Sequence, residues 1–378
     1  MKIWKHYFEA MKKRLLVLLF LLLTGQGVLR AQDPDSAGVS KLSLDGLGKF
    51  NLQKRNLDFF ERVVSFSTVS WVSLPYTDLG YKDGKSPYLL SADVSPHFNI
   101  GGENTPVTLQ ITPRYKVRIL WDDLPEGDSS WPVRTPSYMP GASLFIPVSH
   151  SPFKRARHYT MAPDLENSYR DLHYIGLAVF HHSNGQDGNE IQPDGKYNTY
   201  NGNFSTNFVE LSYHFNLRKR LRKVSPFDCP NKEYPVGYFD YFGHIGYEQH
   251  FSSAQALRGR YSRSRINGSF GWIKVDNYRF RVGKLNQQVG QCYRKERYRY
   301  QLNISANVDR LDEAHDDFHK KINVDFGFFK RILGGNTAAF VMAGYYGNDP
   351  YNVYFENSYP FIRAGLALGF FTFTNKTE

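Results

Sequence analysis

Strict apolar/polar alternation sustained over whole strands is the feature that most restricts this chain. In "VTLQITPRYKVRILW", Val107, Leu109, Ile111, Pro113, Tyr115, Val117, Ile119 and Trp121 share one face. Thr108, Gln110, Thr112, Arg114, Lys116 and Arg118 take the other. "YRYQLNISANVD" repeats the pattern from Tyr298 to Asp309, and "KINVDFGFF" sets Ile322, Val324, Phe326 and Phe328 against Asn323, Asp325 and Gly327. A period of two puts alternate side chains on opposite faces of a strand. A half-buried strand of a water-soluble sheet spans about 5–6 residues. Runs of this length instead suit a tilted strand crossing a bilayer, which takes about 9–11. Backbone groups in lipid have no water to pair with, so such a sheet must close on itself. The expected fold is all-β, a transmembrane antiparallel β-barrel.

Composition agrees. The chain is 16% aromatic, with 26 Tyr and 29 Phe, yet its mean hydropathy is −0.49. Aromatic outer positions around a polar interior give that combination. The N-terminal "MKKRLLVLLFLLLTGQGVLRAQ" has a basic start, an apolar run from Leu15 to Leu23 and a small residue, Ala31, before Gln32. It reads as a secretory signal peptide over 1–31, because nine apolar residues are too few for a helical span of about 20. Without it the formal net charge falls from +11 to +6. That modest basic excess suits anionic headgroups, and nucleic acid is not an expected partner. Cys229 and Cys292 would enter an oxidising compartment, where a single disulfide is one option and two separate thiols the other.

Alternation and turn residues predict twelve strands, over 62–73, 88–100, 107–121, 142–148, 172–184, 204–218, 236–250, 260–275, 298–311, 321–332, 338–346 and 361–373. The stretch 277–292 leaves room for a further pair. Residues 32–56 read as a polar, periplasmic N-terminal arm, and 57–378 as the barrel in an outer membrane. Inward Arg114, Lys116, Arg118, Arg299 and Asp309 imply a lumen occupied by charge pairs.

One strand carries a chemical signal. In "DLHYIGLAVFHHSNG", Ile175, Leu177 and Val179 are in phase with His181 and Ser183, whereas Gly176, Ala178, Phe180, His182 and Asn184 take the other phase. In "FSTNFVELSYHF", Val209, Leu211, Tyr213 and Phe215 are in phase with Asn207. The aliphatic phase faces lipid, so His181, Ser183 and Asn207 are expected on the outside. Polar groups in lipid are costly unless they serve one another. A nucleophile, a base and a group that orients the base form such a set. Wet strand ends near the headgroups would accommodate the same residues without chemistry.

The run "HHSNG", read as His-x-Ser-Asn-Gly over 181–185, resembles the active-site motif of the outer membrane phospholipase A family. The C-terminal stretch "FVMAGYYGNDPYNVYFENSYPFIRAGLALGF" is similar to that family's last hairpin. The resemblance implies His181 as base, Ser183 as nucleophile, Asn207 as the orienting amide and Gly185 as the oxyanion residue. It also implies calcium, held by loop oxygens and a partner in a homodimer. Gln186 and Asn203 match ligand positions, and Asp187 and Asp194 are chemically better ligands for a hard cation. The loop between Ser183 and Asn207 is longer here than in that family. The implied activity is hydrolysis of acyl esters of membrane phospholipids, of A1/A2 type. Two alternatives stand beside it: a lipid A deacylase, in which Glu190 or Glu210 would orient the histidine, and a non-enzymatic barrel or pore.

Overall fold

The computed structural model describes residues 41–74, 88–120, 133–148, 171–220, 237–251, 253–279, 292–312, 316–332, 336–369 and 372–375. The signal peptide, residues 32–40 of the arm and Cys229 lie outside them. The chain divides into two compact units, Met1–Lys49 and Phe50–Glu378. A helix, α1 (Lys41–Ser65), begins in the first, and its later turns belong to the second.

The described strands are β1 (Ser70–Ser73), β2 (Tyr88–Val94), β3 (Phe98–Ile100), β4 (Thr108–Leu120), β5 (Val133–Val148), β6 (Leu172–Ser183) and β7 (Ser205–Arg220). They continue as β8 (Gly237–Phe251), β9 (Ser264–Arg279), β10 (Cys292–Asn307), β11 (Ile322–Arg331), β12 (Thr337–Tyr346), β13 (Tyr359–Leu368) and β14 (Thr372–Asn375). All pairings between them are antiparallel. Sequence neighbours lie side by side, β13 returns to β1, β10 pairs with β11, and the ring closes. Among the described strands twelve form that closed barrel. β3 adds to β4 and β14 to β10.

Several expected boundaries differ, and two of the differences bear on the lumen. A strand was expected from residue 62, but α1 runs through Ser65 and only Ser70–Ser73 pairs. Asn56, Phe59, Arg62, Val63 and Ser65 are buried at helical spacing, and they meet inward-facing strand residues. Phe59 packs edge-on against Tyr174, Phe66 stacks on Phe242, and Arg62 donates to Asn216 at 2.8 Å. Arg299 donates to the carbonyls of Ser65 and Ser67. The helix therefore fills one end of the lumen, and because the lumen is polar its buried face includes Asn56 and Arg62. Second, Asp309 is not an inward strand residue. It lies past the end of β10, accepting from the Ser262 hydroxyl and the Arg263 N–H.

Of the other inward charges the three arginines are paired as expected of a filled lumen, while Lys116 donates to the Pro350 carbonyl. Arg118 grips Asp349 with two bonds of 2.6 and 2.7 Å, Arg114 holds Asp93, and Arg299 holds Glu296. A cavity of about 480 Å³ remains, lined by Asp93, Lys116, Arg118, His182, Glu248 and Arg363 among others. At the end opposite α1, Tyr197, Phe204, Leu257, Tyr261, Val353 and Phe355 from three loops form a buried apolar cluster. On the outside, Tyr241, Trp272, Tyr300 and Phe328 stand in register across four neighbouring strands. They form part of an aromatic girdle.

Leu211 sits outward near the middle of β7. Replacing it with Arg is expected to lower the unfolding free energy in lipid by about 2–4 kcal/mol, the cost of a charge near the bilayer midplane. Denaturant titration of the lipid-embedded barrel reads this, and an unchanged midpoint would contradict the assigned facing.

Candidate functional site

The phase of β6 is clear along its length. Ile175, Leu177 and Val179 are 40%, 38% and 50% exposed, while Tyr174 and Ala178 are buried. His181 and Ser183 continue the outward phase, and His182 turns inward. His182 is 4% exposed, its Nε2 lies 2.6 Å from the Ser137 hydroxyl, and its ring meets Phe204 edge-on. On β7, Val209, Leu211 and Tyr213 face outward, and Asn207 shares their phase.

Register then brings His181 and Asn207 together. His181 is the direct cross-strand partner of Asn207, a position in which side chains lie close enough to interact. His181 Nδ1 is 2.8 Å from Asn207 Oδ1. An amide oxygen only accepts, so Nδ1 carries the hydrogen and the Nε2 lone pair stays free. Ser183 lies two residues along the same face, a backbone separation of roughly 6.6 Å. No hydrogen bond joins Ser183 to His181 in this structure. Nucleophile–base contacts commonly tighten only when substrate is bound.

Three further residues at this place were missed from the sequence. Ser183 pairs with Tyr138 on β5 and with Ser205 on β7, and Tyr138 pairs with Tyr115 on β4. Tyr115, Tyr138, Ser183 and Ser205 thus form one outward row. The strand carrying Tyr138 was expected only from residue 142. It begins at Val133 and runs through Pro136, Pro140 and Gly141, residue types that disfavour a strand. The register also sets Pro140 against His181, and a proline has no N–H to give the ladder.

Beyond Ser183, Gly185 adopts φ +66°, a left-handed conformation that glycine takes without strain. Its N–H has no partner among the described residues. Of the expected calcium ligands, Gln186 and Asp187 follow directly. Asn203 is held back by its neighbours, its N–H donating to Gly188 and its carbonyl accepting from the Tyr197 hydroxyl. Asp194 lies in a small hairpin closed by Ile191 and Tyr197. There it accepts from the Lys196 N–H and stands 3.6 Å from the Lys196 ammonium. Calcium takes six to eight oxygens. Among the described residues no group of three or more His, Cys, Asp or Glu could hold a metal, so any calcium held here would rest on amide and carbonyl oxygens beside Asp187. The alternative orienters are engaged elsewhere. Glu190 accepts from the Ala256 N–H, and Glu210 accepts from Asn267 on the lumen side.

No family model and no curated protein matches the chain. Among solved structures it is similar to OmpF of Salmonella typhi in complex with daunomycin, at 12% identity and a TM-score of 0.26. That alignment covers 81% of this chain and 97% of the other. The fold assignment rests on the strand pairing itself.

Two measurements follow. Nitrogen-15 spectra should give His181 as a single tautomer with hydrogen on Nδ1, and Asn207→Ala should convert it to a mixture in a barrel that still resists unfolding in unheated gels. An unchanged spectrum would break the assigned bond. Asp194→Ala should lower the unfolding free energy of the barrel by no more than about 1 kcal/mol in a denaturant titration, because its effect is confined to an exposed turn and ion pair worth little.

Proposed function

We propose that this barrel is an esterase of the outer membrane of a Gram-negative bacterium, cleaving acyl ester bonds of glycerophospholipids with Ser183 as nucleophile, His181 as base and Asn207 as orienter. The observation that carries the reading is the 2.8 Å bond between His181 Nδ1 and Asn207 Oδ1 on the outward face. A histidine fixed in one tautomer at the surface that meets lipid has little use in a purely structural strand, where the pair would merely be exposed to a poor solvent.

The steps use this chain's own groups. Ser183 Oγ attacks the ester carbonyl while His181 Nε2 takes its proton. Asn207 holds the ring through Nδ1–H. The oxyanion of the tetrahedral intermediate accepts from the free Gly185 N–H, a donor whose worth is greatest where water is excluded. Collapse breaks the bond to the alcohol oxygen, which leaves as the lysophospholipid after receiving the proton from Nε2. A water molecule, deprotonated in turn by His181, attacks the acyl-enzyme and releases the fatty acid. Ser183 lies in the row of Tyr115 and Tyr138, and tyrosines favour the membrane interface, the level at which lipid esters lie. On the family resemblance, calcium would be held by loop oxygens such as those of Gln186 and Asp187 together with a partner in a homodimer, and would polarise the ester carbonyl.

The lipid A deacylase reading is weaker because its orienting glutamate has no counterpart here: Glu190 and Glu210 are committed elsewhere. A pore is disfavoured by α1 at one end of the lumen and the aromatic cluster at the other.

Fatty acid release from phosphatidylethanolamine tests the proposal. Ser183→Ala and His181→Ala should abolish it, Asn207→Ala should reduce it strongly, and His182→Ala should retain most of it because that ring faces the lumen. Equal loss at His182, or release from purified lipid A with none from phosphatidylethanolamine, would overturn it.

A further inference from the structure

The residue after the nucleophile faces away from lipid, and nothing so far gives its side chain a task. Asn184 is 1% exposed, and each of its amide atoms is committed. Its Oδ1 accepts from the Phe204 N–H at 3.0 Å and from the Gln186 N–H at 3.3 Å. Its Nδ2 donates to the Gly202 carbonyl at 2.7 Å. Its own N–H donates to the Phe204 carbonyl at 3.1 Å. Phe204 is fully buried in the aromatic cluster above the lumen.

These bonds add one rung to the β6–β7 ladder. The last regular pair is Ser183 with Ser205. At the next step the Asn184 side chain, rather than its carbonyl, receives the Phe204 N–H. That substitution frees the backbone to turn, and the following residue is Gly185 at φ +66°. The third bond ties the far end of the loop, at Gly202, to the same side chain.

We infer that Asn184 is a positioning residue: its amide locks the ends of β6 and β7 so that Ser183, Asn207 and the Gly185 N–H keep one relative geometry. The consequence for turnover rests on the esterase reading above, whereas the clamp itself does not. The role demands an amide. A carboxylate keeps both acceptor bonds but sets a negative charge against the Gly202 carbonyl, leaving that acceptor without its donor.

Asn184→Asp and Asn184→Ala are compared with the parent on phosphatidylethanolamine, with rates normalised to the barrel that stays folded in unheated gels. Asp should lower kcat about tenfold or more with KM nearly unchanged, since displacing a reacting group by ~1 Å costs on the order of 10²-fold. In the Ala variant the Gln186 and Phe204 amides should exchange hydrogen faster. A parental kcat for the Asp variant overturns the clamp and leaves the esterase reading intact, and so does a loss that vanishes on normalising to folded protein. If the parent itself releases no fatty acid, the esterase reading fails and exchange decides the clamp. Unchanged exchange in the Ala variant then overturns it, and faster exchange upholds it as a loop lock without chemistry.

Discussion

Hydrogen bonding of the backbone in a medium without water is the constraint from which the rest follows. Every N–H and C=O at bilayer depth must find a partner in the chain, so β10 meets β11, β13 meets β1 and the sheet has no edge. Once the ladder is closed, the facing of every side chain is fixed by its parity. A shift of one residue would send His181 inward and His182 outward. The location of the proposed site is therefore a property of register before it is a property of any side chain. His181 and Asn207 can meet because they are cross-strand partners on the lipid face, and His182 is excluded because it is not.

The same parity divides the protein's polar groups into two populations. Inward charges form pairs, Arg118 with Asp349 and Arg114 with Asp93, within a lumen that α1 and an aromatic cluster occupy at either end. Outward polar residues are few against the aliphatic and aromatic side chains that surround them. A histidine and an amide that pair with one another at 2.8 Å solve the cost of being there. On the proposed reading the substrate needs no pocket, because it already lies against the strand that carries Ser183.

Much of this was legible in the sequence because alternation over a dozen residues has one structural meaning. Strand number and the facing of β6 and β7 followed from it, which put His181 and Asn207 on one surface, while the register that pairs them is seen only in the ladder. What escaped has physical causes. The helix ending at Ser65 buries Asn56 and Arg62 along with Phe59 and Val63, since a polar lumen accepts them, and so it lacks the apolar stripe of a helix in a water-soluble core. β5 starts nine residues before the expected boundary, in a stretch where Pro136, Pro140 and Gly141 disfavour a strand, and Tyr138 lies in that stretch. Among the expected calcium ligands, Gln186 and Asn203 were implied by the family resemblance, whereas Asp187 and Asp194 were named for their chemistry alone. Spacing could not show that Asp194 is turned to Lys196 at a hairpin of its own.

The central claim is that one outward serine is activated by an outward histidine. A hydrocarbon sulfonyl fluoride added to the lipid-embedded barrel, followed by mass mapping of the modified peptide, reads this directly. The account predicts a single adduct on Ser183, absent after His181→Ala, with none on its row neighbour Ser205 or on the inward Ser137. Modification at Ser205 or Ser137, or of Ser183 at an undiminished rate without His181, would contradict it.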